Sequence, residues 1–170
     1  EAGLQAMLKN AEVAPGGNER KEGRGGLADY NSLGYVSSAY ERCLTRTFEY
    51  SNCDFAIATV ADRLGKQDIA NKYYKNASNW QNTWNDKITS LGFAWPRNEE
   101  GKYWDKEHFS TLKGGNWGEP TYETFSFELS FYVPHDMKSL IQKCGGEDIF
   151  TQRLDTFFTH KIWDLSLIHI

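Results

Sequence analysis

The clearest repeat of hydrophobic and polar positions lies in the first half of this chain and predicts two long helices. Over residues 42–64, apolar side chains recur at helical spacing along one stripe, and Gly65 follows where a helix C-terminal cap belongs. Over residues 67–84, a second stripe recurs at intervals of four, four, three and four residues. Because few residues separate the two patterns, we expect an antiparallel helical hairpin.

Hydrophobic spacing also predicts shorter helices on either side of this hairpin. Residues 2–11 have the pattern of a short helix, which Pro15 and the glycines after it terminate. Asp136 is placed to cap a helix that runs to Gly145, and residues 147–158 form the last predicted helix.

A small β-hairpin is predicted between the helical regions. Residues 93–97 and 102–104 flank a turn that ends in Gly101. Pro96 has no N–H to donate to a neighbouring strand, so we expect this hairpin to lie at an edge. The glycine-rich loop over residues 16–26 is either a flexible connector or a loop that lines a site.

Residues 122–136 combine candidate chemistry with a strand pattern. Two carboxylates, Glu123 and Glu128, lie there among five aromatic residues. Aromatic rings pack against the apolar faces of a pyranose, and a carboxyl group in a partly dry pocket can act as a general acid. Surface acids between core aromatics would give the same pattern, so both interpretations stay open. Apolar residues alternate strictly over residues 125–133, which is typical of a strand, and Pro134 ends any helix before it.

Composition and charge narrow the function classes. The 170 residues suffice for one core and for no more than one full domain. A net charge of -4 and a pI near 5.6 disfavour a nucleic-acid partner, which binds a basic face. No run of eighteen apolar residues occurs, so no membrane span is predicted. The three cysteines, Cys43, Cys53 and Cys144, match no zinc or redox motif and are expected to be buried or incidental thiols.

Four short motifs follow one another along the chain. They are Glu49-Tyr50, Pro96-Arg97-Asn98, Tyr122-Glu123 and Val133-Pro134-His135-Asp136. In this order and at this spacing they resemble glycoside hydrolase family 92, the calcium-dependent exo-acting α-mannosidases, and the resemblance covers residues 9–160. Thr124 and Phe125 replace the usual Gly-Asn, as in the family's fungal branch, and Ser37 stands where proline is expected.

Two further runs resemble the family and contain charged residues. They are Glu22-Gly23-Arg24 and Arg46-Thr47-x-Glu49-Tyr50, the second followed by Asp54. Glu49 and Asp54 could contact a sugar or support the fold. An ion pair with Arg46, or an exposed charge, is an equally good interpretation of either residue.

The resemblance implies a mainly α fold, namely part of an (α/α) toroid of the six-hairpin glycosidase kind with a small β-hairpin. It places residues 122–136 at an inner helix, and we follow it over the strand pattern. Residues 1–164 are interpreted as a fragment of the helical catalytic domain of a longer enzyme. Residues 165–170 resemble the translated end of a transposon used in sequencing libraries, so we interpret them as a sequencing or cloning scar.

The resemblance also implies roles for individual residues. Glu123 takes the place of the family's general acid in an inverting hydrolysis, in which a second carboxylate about 6.5–9.5 Å away activates water. The expected substrate contacts are Glu128, His135, Asp136, Glu49 and Trp117. Trp117 could instead anchor the core, which is the commoner use of a loop tryptophan.

Calcium is the cofactor that the resemblance implies, because a hard, oxygen-seeking ion can hold mannose through its hydroxyls. We expect the general base and most calcium ligands to lie outside this chain, so its metal-ligating residues stay unknown and the fragment alone is expected to be inactive. The implied substrates are mannose-containing glycans, α-1,2-linked as in N-glycans or mannan, and the implied location is secreted or extracellular, although no signal peptide is visible here.

Two alternatives of other kinds stay open. One is a non-enzymatic carbohydrate-binding or helical interaction module in which the same aromatics bind or merely pack. The other is a different hydrolase of the helical toroid type, such as a relative of trehalases or glucoamylases. Aspartate pairs and an Asn-Glu-Pro run in downstream sequence would favour the mannosidase over both.

Overall fold

The computed structural model describes residues 1–19, 23–88, 92–105, 107 and 119–159. Helices dominate this part of the chain, and two short strands form an antiparallel pair, so the predicted mainly α fold with a small β element is confirmed. The helices are α1 (Ala2–Glu12), α2 (Leu27–Leu33), α3 (Cys43–Arg63), α4 (Gln67–Asn76), α5 (Ser126–Leu129), α6 (Met137–Lys143) and α7 (Glu147–Thr159). The strands are β1 (Trp84–Asn85) and β2 (Phe93–Ala94). Trp117 and residues 165–170 lie outside the described residues.

The predicted helical hairpin is confirmed as α3 and α4, which pack on one another. Helix α3 ends where the sequence predicts, because Gly65 has a left-handed backbone with φ of +70°. The N–H groups of Gly65 and Lys66 donate to the carbonyls of Asp62 and Ala61, each at 2.9 Å. These bonds satisfy carbonyls that the end of a helix leaves open.

The second helix is shorter than predicted. Helix α4 ends at Asn76, a 3₁₀ helix covers Asn79–Thr83, and Trp84 belongs to β1, so the prediction of one helix to residue 84 is wrong. The carbonyl of Lys75 accepts hydrogen bonds from the Ser78 N–H (3.2 Å) and the Ser78 hydroxyl (2.7 Å). In a continuing α-helix the Lys75 carbonyl would accept from the N–H of residue 79, but here Ser78 already occupies it. Serine competes with helical hydrogen bonds in this way because its hydroxyl can bond to nearby backbone groups.

The predicted β-hairpin is correct at its turn and wrong in its first strand. Arg97 pairs with Tyr103, and the Trp104 N–H donates to the Pro96 carbonyl at 3.0 Å, around a turn in which Gly101 has φ of +82°. Strand β2, however, pairs with β1 instead of continuing the hairpin. Phe93 and Ala94 are buried there, which an edge hairpin alone would not provide.

Residues 125–133 have a strand pattern in the sequence, whereas the resemblance implied a helix, and the structure contains the short helix α5 there. The strand pattern is wrong, and the helix that the resemblance implied is present but spans only four residues. After Leu129 the chain continues in turns, with the Tyr132 N–H on the Leu129 carbonyl and the Val133 N–H on the Phe131 carbonyl. The helices predicted at the two ends are confirmed as α1, α6 and α7.

The helix α2 was not predicted from the sequence. It lies between Gly26 and Gly34, whose backbones are both left-handed with φ of +71° and +76°. Seven residues are too few to show a clear helical period, so only its two flanking glycines could have indicated it.

Two hydrophobic clusters form the core. The larger one is rich in aromatic side chains and joins the N-terminal half of α3 to the β pair, α5 and α6, and the smaller one lies between α1, α4 and the C-terminal half of α3. The large cluster includes three tryptophans: Trp80 in the 3₁₀ helix, Trp84 in β1 and Trp95 directly after β2. All three cysteines are free, and Cys43 and Cys144 are buried, as expected.

Candidate active site

The chain over residues 119–135 follows helix α3 and is fixed to its first turn. The N–H groups of Arg42 and Leu44 donate to the carbonyls of Glu119 (2.8 Å) and Pro120 (3.0 Å). These are among the N–H groups that the start of a helix leaves without a helical partner. The contact explains why this segment enters the site at the N-terminus of α3.

Contacts further along keep the same segment beside the helix. The Tyr122 N–H donates to the Thr45 hydroxyl at 3.0 Å, and the Asn52 side chain donates to the Tyr132 hydroxyl at 3.4 Å. The His135 ring lies 5.6 Å from the ring of Phe55. The three helix positions span ten residues, or about 15 Å of helix. The candidate residues are thus arranged in chain order along one side of α3.

Glu123 is exposed and has a left-handed backbone with φ of +51°. Its neighbours two residues away, Thr121 and Phe125, are both buried. A left-handed backbone costs a non-glycine residue about 1–2 kcal/mol, and such strain is often stored at functional sites. The fold therefore holds the chain firmly on both sides of Glu123 and directs this one residue to the surface.

Tyr122 links Glu123 to the start of α3. The guanidinium carbon of Arg42 lies 4.6 Å from the centre of the Tyr122 ring. Partial burial and the neighbouring Glu123 carboxylate, which accepts a hydrogen bond from the tyrosine, raise the pKa of Tyr122, while Arg42 opposes this rise.

Glu128 caps helix α5. One of its carboxylate oxygens, Oε2, accepts hydrogen bonds from the Thr124 hydroxyl and from the Phe125 N–H, both at 3.0 Å. An acid at the third position of a helix commonly satisfies the N-terminal N–H in this way. The side chain is half-buried, and its position gives the loop after Glu123 a defined shape.

Glu49 lies on α3, one turn after Thr45, and contacts the far end of the segment. The hydroxyl of Tyr132 donates a hydrogen bond to its carboxylate. Desolvation by the surrounding protein raises the pKa of Glu49 above its ordinary value, and the hydrogen bond from Tyr132 opposes the rise. Glu49 therefore lies on the side of α3 that the segment of residues 119–135 follows, and Glu123 is part of that segment.

His135 and Asp136 fix the end of the segment. Nε2 of His135 lies 2.9 Å from the Ala77 carbonyl at the end of α4, so the hydrogen bond makes it the protonated nitrogen. Asp136 is the N-cap of α6, and its carboxylate accepts from the Ser139 N–H at 3.4 Å. The Asp136 cap is the one the sequence predicted.

A buried ion pair that the sequence interpretation missed lies on the adjoining side of α3. Nη1 of Arg24 is 2.7 Å from Oδ1 of Asp54, and Oδ2 of Asp54 accepts from the Tyr30 hydroxyl at 2.9 Å. Both charged side chains are almost completely buried. Burial raises the pKa of Asp54, and Arg24 opposes that rise.

This pair corrects the interpretation that joined Asp54 to Arg46. Arg46 instead donates to the Glu19 carbonyl at 2.6 Å, and the Tyr50 hydroxyl donates to the Gly25 carbonyl at 3.0 Å. Arg46, Tyr50 and Asp54 are spaced by four residues and form one face of α3. The described part of the glycine-rich loop therefore packs against α3. The four-residue spacing of Arg46, Tyr50 and Asp54, together with the Glu-Gly-Arg run in the loop, is the sequence signal that could have indicated this contact.

No helix in the described part of the chain is long and apolar enough to cross a membrane. Within the same residues, no three His, Cys, Asp or Glu side chains come together in a way that could hold a metal ion. The described residues therefore do not themselves fit a calcium site.

Comparison with protein-family models assigns the chain to a known family. The family model described as the glycosyl hydrolase family 92 catalytic domain matches residues 1–166. The chain belongs to this family. The resemblance to family 92 and the mainly α fold that it implied are thereby confirmed.

Solved family 92 structures share the fold. The chain is similar to a family GH92 inverting mannosidase of Bacteroides thetaiotaomicron VPI-5482, with a TM-score of 0.80 and 32% identity over 90% of this chain and 20% of that one. It is also similar to a family GH92 α-mannosidase of Bacteroides thetaiotaomicron in complex with mannoimidazole, with a TM-score of 0.76 and 25% identity over 92% of this chain and 20% of that one.

A curated relative is an uncharacterized secreted glycosidase of Arthroderma benhamiae, 33% identical over 89% of this chain and 22% of that protein. The family 92 chain described here thus spans about a fifth of the length of the relatives it matches.

Proposed function

We propose that this chain is the part of an inverting exo-acting α-mannosidase that carries the general acid, Glu123. Membership of family 92 supports the glycosidase class, and similar structures bear the names inverting mannosidase and α-mannosidase. The substrates would be terminal α-linked mannose residues of N-glycans or mannan, with α-1,2 linkage as the expected preference.

One observation carries the assignment of Glu123. It is an exposed carboxyl group on a left-handed backbone, in a segment whose other residues are fixed to α3 and α5. Proton transfer requires a donor held within hydrogen-bond reach of the glycosidic oxygen, and a fixed backbone with an outward side chain meets that need. Glu128 differs because its carboxylate is engaged in capping α5.

In the proposed reaction, protonated Glu123 gives its proton to the departing glycosidic oxygen while a second carboxylate activates water on the opposite face of the sugar. Before transfer the acid must keep its proton near neutral pH, which requires desolvation. We propose that parts of the protein beyond the described residues supply this desolvation.

The other candidate residues are proposed as substrate contacts around this acid. Glu49 and Glu128 would accept hydrogen bonds from sugar hydroxyls, Glu128 through Oε1 while Oε2 caps the helix. His135 and Asp136 would hold the far wall of the pocket, and Trp117 would stack on a sugar face.

The remaining parts of the mechanism are proposed to lie outside these residues. The general base and the calcium ligands would come from other parts of a longer protein, which agrees with a chain that spans a fifth of its relatives. Residues 1–164 would then be a piece of the helical catalytic domain, inactive by itself, and residues 165–170 a cloning scar. A secreted location is proposed from the relative named as a secreted glycosidase.

Hydrolysis of α-1,2-mannobiose by the full-length protein tests this proposal. Proton NMR during the reaction should show β-mannose as the first product, because inversion reverses the α configuration, and a calcium chelator should abolish turnover. Release of α-mannose first, or full activity with the chelator present, would contradict it. The 170-residue chain serves as the matched control and should release no mannose.

A further inference from the structure

Asn76, Ala77 and Ser78 form an acceptor sequence for N-linked glycosylation, and none of them is among the candidate site residues. Such a sequence consists of asparagine, any residue except proline, and then serine or threonine. Asn76 is the one asparagine of the 170 residues that meets this rule. The three residues lie where helix α4 ends, since Asn76 is its last residue and Ala77 follows as the cap. We call them the α4 sequon.

The backbone of the α4 sequon is fixed by contacts with three parts of the fold. The Asn76 carbonyl accepts a hydrogen bond from the Tyr30 hydroxyl of α2 at 3.3 Å. The Ala77 carbonyl lies 2.9 Å from Nε2 of His135, and the Ala77 N–H donates to the Tyr73 carbonyl of α4 at 2.9 Å. The point at which a glycan would leave the chain is therefore held in a defined position.

The polar side chains of the α4 sequon, in contrast, are open to solvent. Asn76 is partly exposed and Ser78 is exposed. The Asn76 side-chain amide makes no hydrogen bond with the other described residues. A sugar bonded to its nitrogen would therefore break no hydrogen bond in this part of the chain.

The surface beside the sequon is polar, as a bulky and hydrophilic glycan requires. Helix α4 buries Ala70 and Tyr73 in the smaller core cluster. Its residues Asn71, Lys72 and Lys75 are exposed. A glycan at the end of this helix would extend from a solvated surface and cover no part of that cluster.

Helix capping does not account for an asparagine at this position. Asparagine often follows a helix because it tolerates the left-handed backbone found there. Asn76 is instead a helical residue, and Ala77 after it has φ of -59°. The fold thus uses the backbone of Asn76 and leaves its side chain available for modification.

We propose that Asn76 is an N-glycosylation site of the full-length protein. The inference rests on the secreted location given under the proposed function, because N-glycans are added in the secretory pathway. Nδ2 of Asn76 forms a bond to the anomeric carbon of a lipid-linked diphosphate oligosaccharide. The bond from that carbon to the diphosphate breaks, the lipid diphosphate is the leaving group, and the amide loses one proton. The transferase and the oligosaccharide come from the host cell.

Peptide mapping of the full-length protein, expressed from its complete gene in a yeast and collected from the medium, tests the proposal. Peptide N-glycosidase in ¹⁸O-labelled water removes an N-glycan and leaves a labelled aspartate. The tryptic peptide that contains residue 76 should therefore carry the label. Before this treatment, Asn76→Gln and Ser78→Ala should each migrate faster on a gel by the mass of one glycan, and after it they should migrate with the unmodified protein.

Two further variants make the test specific. Ser78→Thr keeps the hydroxyl of the acceptor sequence and should retain both the label and the slower migration. Asn71→Gln is the matched control, since Asn71 is an exposed asparagine of the same helix that lies outside the acceptor sequence. It should change neither readout. A secreted protein whose residue 76 peptide is recovered without label would overturn the proposal, as would a label that persists in Ser78→Ala.

The same secreted sample separates this inference from the proposed function. Its release of mannose from α-1,2-mannobiose tests the mannosidase assignment, whatever the state of Asn76. A labelled peptide from a protein that releases no mannose would support the modification and contradict the assignment. Mannose release by a secreted protein without label would do the reverse. Protein retained inside the cells would contradict the secreted location and the modification together.

Discussion

The guanidinium group of Arg42 lies over the ring of Tyr122, 4.6 Å from its centre, and so joins the first turn of α3 to the residue that precedes Glu123. Arg42 and Glu123 are also the two non-glycine residues with positive φ, +60° and +51°, in the part of the chain that the structure describes. The backbone is therefore strained at Arg42, one partner of this cation–π contact, and at Glu123, the residue directly after Tyr122, the other partner. We interpret this contact as the device that holds Glu123 in place.

The first prediction concerns that contact. Arg42→Ala removes the cation–π interaction and should lower the free energy of unfolding by about 0.5–1 kcal/mol in urea denaturation. Arg42→Gly removes the same interaction but relieves the left-handed backbone, so it should destabilise less than alanine does. Equal losses in the two variants would show that the backbone at Arg42 is not strained.

The second prediction concerns the backbone of Glu123. Glu123→Gly should stabilise the chain by about 0.5–1 kcal/mol, because relief of a left-handed residue outweighs the entropic cost of glycine. Thr124→Gly, one residue later, is the control and should destabilise the chain. The measurement is the urea midpoint of the 170-residue chain. A lower midpoint for Glu123→Gly would mean that this residue is not held in a strained conformation.

The third prediction tests whether Glu128 caps helix α5, a structural role that differs from the proton donation proposed for Glu123. Glu128→Ala removes two hydrogen bonds at the start of α5 and should lower the free energy of unfolding by about 1–2 kcal/mol. Glu128→Gln keeps an acceptor oxygen and should lose much less. Thermal unfolding of the three chains decides the point, and an alanine variant as stable as the glutamine variant would remove the capping role.

The fourth prediction concerns the titration of Glu49. Its pKa, measured by carboxyl ¹³C NMR, should lie above the ordinary 4.5 because the protein desolvates it. Tyr132→Phe should raise this pKa further, since it removes a hydrogen bond that favours the ionised form. A pKa that falls in the Tyr132→Phe chain would contradict the contact.

The same shift has a consequence for stability. A raised pKa means that the folded chain binds a proton more readily than the unfolded chain does. The Glu49 contribution to the free energy of unfolding should therefore increase as the pH falls through the folded pKa towards 4.5, and Glu49→Gln should abolish this contribution.

Helices with a long, regular period could be predicted from the sequence, and their ends could be predicted where glycine fixes them. Helix α3 and its Gly65 cap follow directly from local patterns. The end of α4 could not be predicted in the same way. Trp80 and Trp84 keep the apolar spacing because both rings pack in the core, 5.8 Å apart, while Ser78 changes the hydrogen bonding before them.

The candidate site was predictable only as a set of motifs. The sequence places Glu123 beside Tyr122, but the contact of Tyr122 with Arg42 joins residues eighty positions apart. The Arg24 to Asp54 pair is a similar case, because burial and long-range folding, rather than local spacing, select its partners. Alternation over residues 125–133 was misleading because α5 and the turns after it bury Phe125, Phe127, Leu129 and Val133. They also bury Ser126 and Ser130, which a strand would turn to its other face.

The most direct test of the account compares leaving groups in the full-length enzyme. Glu123→Gln should reduce kcat on α-1,2-mannobiose by roughly 10²–10⁴, the usual worth of general acid catalysis, and far less on an activated aryl α-mannoside whose leaving group needs no proton. Glu128→Gln, the matched variant, should affect both substrates alike. Equal losses on both substrates for Glu123→Gln, or a leaving-group-dependent loss for Glu128→Gln, would contradict the assignment of Glu123 as the proton donor.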